Sequence, residues 1–164
     1  MSEGPDLDQA LGEIDLPRLR QLCVILTAVG ALALGLPLSQ AWFAPVPLPS
    51  LSAPGPSLDP LFDVLLLGQV LAFAGSFWAQ RHWRRRAGAK GPAGAIRRTW
   101  LLRYALAATV CVLGGLAFHA AHVAGLLTEA PRILWLGLLP LLALLWMLWQ
   151  WPDRPSLRKS FSRS

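Results

Sequence analysis

Two histidines, His119 and His122, stand three residues apart and therefore share one face of any helix that carries them. Carboxylates fall near them if the chain folds back on itself. Asp59 and Asp63 are one helical turn apart, and Glu129 follows shortly after the histidines. Imidazole nitrogen and carboxylate oxygen together are ligands for zinc, iron or copper. His119, His122, Asp59 and Asp63 are thus the residues that would hold a divalent metal or a haem iron, or pass a proton along. A purely structural account serves the same residues. Asp59 before Pro60 has the form of a helix N-cap followed by proline at the first helical position. Asp63 in the first turn complements the helix dipole, and histidines near a membrane surface reach water directly. On that account the chain holds no cofactor.

No HExxH, CxxC, GxSxG or phosphate-cradling motif accompanies the pair, so the sequence identifies no reaction and leans away from an enzyme. The stretch Phe118-His119-Ala120-Ala121-His122-Val123 resembles the F-H-G-x-H-V segment of the third subunit of haem-copper oxidases, with Ala120 where that family has glycine. The resemblance covers six residues of 164, and that family has a larger set of spans; no function is carried over from it.

The elements that must position these residues follow from hydropathy. Apolar residues make up 54 % of the chain and charged residues 15 %, against about 45–50 % and about 25 % in soluble domains. The apolar residues are massed into four runs with almost no charge: Leu22 to Trp42, Leu61 to Trp78, Trp100 to Leu127 and Ile133 to Trp151. About 20 apolar residues cross a hydrocarbon core of about 30 Å. Lipid leaves backbone N–H and C=O groups no partner but each other, so each run must be helical. The expected fold is an all-α membrane protein, a four-transmembrane-helix bundle in one domain, with spans at 21–42, 61–79, 100–127 and 133–151. The first run exceeds the usual 7–15-residue core of a signal peptide and follows an acidic segment, so it is expected to be retained. Tryptophans at the run ends, among them Trp42, Trp78, Trp83, Trp100, Trp149 and Trp151, suit the headgroup layer, while Trp146 lies deep enough to face a neighbouring helix.

Thirteen of the 15 lysines and arginines lie in residues 1–20, 80–99 and 152–164, which four spans place on one side. The outer loop 43–60 has none, and the outer turn 128–132 has only Arg132. The positive-inside rule then puts both termini in the cytoplasm, with a bacterial inner membrane as the expected location. Arg103, near the start of the third span, is expected to snorkel toward the basic side. Counted from Arg103 at 1.5 Å per residue, His119 and His122 lie roughly 24 and 28 Å across, at the outer surface, where Gln40 also ends the first span.

The connections are expected to differ in kind. The proline-rich 43–60 segment reads as extended, and the basic 80–99 segment reads as a mobile connector on anionic headgroups. Residues 152–164 read as a basic tail. Leu7, Leu11 and Ile14 have helical spacing, but a frayed terminus is the simpler expectation for residues 1–16. A short amphipathic helix docking on the 81–98 loop is the other reading. Gly68, Ala72 and Ser76, and likewise Ala107, Cys111 and Gly115, repeat at four-residue spacing, which lets helix backbones approach. Gln69 is expected to hydrogen-bond across helices, and Pro37 and Pro140 to kink or end theirs. Cys23 and Cys111 lie at different depths and are expected to stay unbridged.

These features point first to a noncatalytic accessory, assembly or scaffold subunit that packs against other membrane proteins or its own copies. A metal- or haem-binding redox protein using His119 and His122 is the second reading, and a small oligomeric transporter or channel the third. Nucleic acid is not an expected partner, since no nucleic-acid-binding fold or aromatic platform accompanies the basic residues.

Overall fold

The computed structural model describes residues 7–43, 59–82, 91–123 and 131–162. The proline-rich 44–58 segment, the basic 83–90 stretch and Glu129 lie outside the described residues, as do the side chains of Trp42, Asp59, Arg132 and Trp135. The described chain is all helical: α1 (Leu7–Gly12), α2 (Leu16–Phe43), α3 (Asp59–Arg81), α4 (Gly91–Val123), α5 (Pro131–Trp149) and α6 (Arg154–Ser162). Among the described residues, three helices are long and apolar enough to cross a membrane, over Leu16–Gln40, Pro60–Arg81 and Pro92–Val123. Within α5, the apolar stretch Gly137–Trp149 is shorter.

Helix α4 is the axis of the bundle, and α2, α3 and α5 pack around it. Half of its apolar stretch is buried inside the protein, against 17 % for α2 and 22 % for α3. The small residues set the approach. Gly30 of α2 meets Cys111 and Ala108, and Gly115 lies directly against the Ala33 carbonyl. Both residue numbers rise together, so α2 and α4 run parallel. Gly68 packs on Leu113 and Gly75 on Leu106, so α3 runs antiparallel to α4. Gly137 against Phe118, and the Cys111 thiol donating to the Pro140 carbonyl at 3.5 Å, make α5 antiparallel as well. The two small-residue faces expected from spacing are therefore both used inside the monomer. Cys23 and Cys111 are free and buried.

This alternation gathers the start of α2, the end of α3, the start of α4 and the end of α5 at one end, called here the basic end. Helices α1 and α6 cap it. Ala10, Leu11 and Ile14 are buried, so residues 7–12 fold against α6 and the start of α4 rather than fray. Leu157 and Phe161, four apart on α6, are fully buried and join them, so the segment expected as a tail is largely a docked helix. Helix α4 begins at Gly91, so the second part of the segment expected as a loop is helical, and Ala95, Ile96 and Thr99 are buried there. The sequence masks this because Arg97 and Arg98 interrupt the apolar run, yet on a helix they fall on another side from Ile96 and Trp100. Pro37 and Pro140 both lie inside helices that continue past them.

Candidate functional site

At the end opposite the basic one, the topology brings the close of α2, the opening of α3 and the close of α4 together. Phe62 packs against Ala117 and Ala121 in a small apolar cluster with Leu65, Leu66 and Phe118. That contact fixes the rotation of both helices. Successive helical residues turn by about 100°, so Asp63 is carried away from α4 and is exposed, and His119 is exposed too. His122 turns inward and is only 8 % exposed, and its Nδ1 has no hydrogen-bond partner. Gln40 is exposed, and Asp59 opens α3. The expected residues therefore share an end of the molecule, but among the described residues no three His, Cys, Asp or Glu side chains converge on a point where a metal ion would sit.

The basic end holds the denser arrangement. Tyr104 is fully buried, and its hydroxyl lies 2.8 Å from the Met147 carbonyl and 2.7 Å from the Gln150 carbonyl. Its single proton serves one of these at a time. Met147 lies in the closing turn of α5 and Gln150 directly follows it, where backbone acceptors have lost their intrahelical donors. The Tyr104 ring packs on Trp146 at 5.7 Å and on Trp100 at 6.2 Å, and Trp100 packs on Phe161 at 6.1 Å. An aromatic column thus joins α4 and α5 to the capping helix α6.

Arg103 sits inside this column. Its guanidinium carbon lies 4.7 Å from the Trp146 ring centre and 5.3 Å from that of Trp100, a cation–π sandwich. The side chain is 2 % exposed, and Nε and Nη1 have no hydrogen-bond partner. Arg103 is therefore enclosed by the bundle rather than snorkelling out of it. Trp100, expected in the headgroup layer, is fully buried for the same reason: α6 covers it. Trp146 faces a neighbouring helix as its depth suggested. Gln69 is fully buried, yet neither amide atom has a partner, so the expected interhelical hydrogen bond is not made.

Helix α6 and the residues leading into it are fastened from two other helices and capped by their own chain. Gln80 Nε2 donates to the Ser160 carbonyl at 2.7 Å, Arg20 Nε to the Pro152 carbonyl at 3.1 Å, and the Ser156 amide to Asp153 Oδ1 at 2.7 Å. The last is an N-cap bond. It and the Ser156 hydroxyl hold the Asp153 carboxyl below the usual carboxylate range, with a smaller contribution from Arg20.

No protein-family model, curated protein or solved structure matches this chain. The functional reading rests on its own residues.

One surface feature escaped the sequence reading. On α2, Ala31, Gly35 and Ser39 repeat every four residues and are all exposed, and Gly35 has no side chain or backbone within 4 Å of where a Cβ would stand. Thr27, half-buried, continues the row. The Thr27 and Ser39 hydroxyls are each satisfied by their own helix, donating to the Cys23 and Leu36 carbonyls at 2.8 Å. The same spacing rule that picked out Gly68 and Gly115 applies here; what the sequence lacks is which small-residue row the monomer leaves uncovered.

Proposed function

We propose that this chain is a four-span protein of the bacterial inner membrane, with both ends in the cytoplasm, that serves as a noncatalytic accessory, assembly or scaffold subunit by packing against other membrane helices. The observation that carries the reading is the uncovered row Ala31, Gly35 and Ser39 on α2. Inside the bundle, rows of this kind are where helices touch: Gly30 and Ala33 against Cys111 and Gly115. Without a hydrophobic driving force between helices in lipid, close backbone approach is a main source of association. A row that presents no unsatisfied hydroxyl and no bulky side chain is shaped for one more helix.

The fourth span is supported by α5, whose 19 residues reach about 28 Å, close to the thickness of the hydrocarbon core. The orientation is supported by the basic end, where Arg18, Arg20, Arg81, Arg97, Arg98, Arg103, Arg154, Arg158 and Lys159 belong, while among the described residues only Arg132 stands at the other end.

Pull-down of the tagged full chain in mild detergent tests the reading. We expect a membrane protein, or a second copy of this chain, to co-purify with the wild type and to be lost with Gly35→Leu, while the variant keeps its thermal unfolding midpoint. A chain that always isolates alone overturns the proposal.

A second reading keeps the histidines. His122 is buried with an unpartnered Nδ1 one turn from His119, and a ligand held by this pair would make the protein metal- or haem-binding. Metal content and a haem spectrum of the purified protein decide it: neither present, with His119→Ala and His122→Ala silent, ends this reading.

A further inference from the structure

At the basic end a cleft of about 800 Å³ opens between the close of α3, the close of α5 and helix α6. Its lining is graded. Phe77 and Trp149 form the apolar wall; Phe77 is half-exposed and packs edge-on against Phe73, and Trp149 is 87 % exposed. Gln80, Arg81 and Gln150 follow where the apolar stretches end, since the α3 stretch closes at Arg81 and the α5 stretch at Trp149. Ser156, Lys159 and Ser160 of α6 form the far rim.

We propose that this cleft binds the headgroup of one anionic phospholipid. It has the order of groups that a lipid has: apolar wall at acyl-chain depth, cations and hydroxyls at phosphate depth. Arg81 and Lys159 face it from different helices, and among the described residues no carboxylate lines it and neither cation is ion-paired. The Gln80 bond to the Ser160 carbonyl ties α6 to α3, so the two cations are carried on helices joined to each other beside the cleft rather than on free tails. A volume of this size suits a small headgroup and its first methylenes, and an exposed tryptophan at a helix end is the usual anchor in that layer. The inference rests on the membrane reading above, and narrows a general attraction of the basic end for anionic lipid to one built site.

Native mass spectrometry of the full chain in detergent, titrated with phosphatidylglycerol or phosphatidylcholine, tests it. The wild type should retain one phosphatidylglycerol with roughly tenfold or greater preference over phosphatidylcholine, two interfacial cations being enough for such a ratio. Arg81→Gln/Lys159→Gln should abolish the preference, while Arg98→Gln/Arg154→Gln, which removes equal charge from exposed positions outside the cleft, should keep it. If the double variant does not fold, Lys159→Gln alone at its exposed position should give a partial loss. A preference that survives loss of Arg81 and Lys159, falls equally in the control pair, or is displaced by millimolar inorganic phosphate overturns the site. A chain that stays soluble without detergent overturns the membrane reading instead.

Discussion

Gln69 shows how a single residue can cost stability without an evident return. A buried amide with both polar atoms unpaired forfeits its hydration with nothing in exchange, a penalty of about 1–3 kcal/mol. Gln69→Leu should therefore raise the midpoint of thermal unfolding in detergent by several degrees; a drop would reveal a partner for the amide. Arg103 differs, because the faces of Trp100 and Trp146 supply part of what its missing acceptors do not. Asp153 gives a pH dependence of defined sign. Its carboxyl is held low chiefly by Ser156, so its contribution is fully present above the unfolded value of about 3.9 and is lost as pH falls through the lower, folded value. The protection factors of the α6 amides, which divide out the intrinsic pH dependence of exchange, should hold from neutral pH to about pH 4 and fall below it. Asp153→Asn should flatten that response.

Among the elements, α2 has one small-residue face closed by Gly115 of α4 and another left open at Gly35, and added bulk at these two glycines should act oppositely. A Cβ at Gly115 would overlap the Ala33 carbonyl, and backbone cannot step aside as a flexible side chain can. Gly115→Ala should lower stability by about 1–3 kcal/mol through overpacking, measured as a fall in the unfolding midpoint, even though alanine is the better helix former. At Gly35 there is open space, and bulk should leave the monomer intact. Element type was legible in the sequence because long charge-free runs permit only helices, and the internal rows Gly68/Ala72/Ser76 and Ala107/Cys111/Gly115 were legible from their spacing. Helix α6 was not, since its apolar content is two residues, Leu157 and Phe161, which become a face only once Trp100 is beneath them. Helix α1 was half legible: Leu11 and Ile14 had the right spacing, but the surface they cover belongs to a helix nearly 150 residues away. The outer residues were legible as neighbours along the chain fold. Whether they converge depends on helix rotation, which Phe62 against Ala117 and Ala121 sets.

For the whole molecule, the decisive physical quantity is the separation of charge from oil. Helices α2 to α5 alternate in direction, so the polar starts and ends that carry arginine collect at one end, while at the end holding Gln40, Asp63, His119 and His122 the described helices carry only Arg132, at the start of α5. On the proposed orientation, a negative inner surface and an insertion machinery that resists passing arginine outward are what would act on that asymmetry. The capping helices sharpen it: α6 is fastened by Arg20, Gln80 and the Trp100 ring, so the C-terminal region must lie on the same side as the start of α2. With Cys23 and Cys111 buried and free, single cysteines placed at Ser39 and at Arg154 provide the test in intact cells. A membrane-impermeant maleimide should label the residue-39 cysteine and leave the residue-154 cysteine unlabelled until the membrane is opened. Labelling of both from outside would mean an even number of crossings between them, and the docking of α6 beside the start of α2 would then be incompatible with the protein in its membrane.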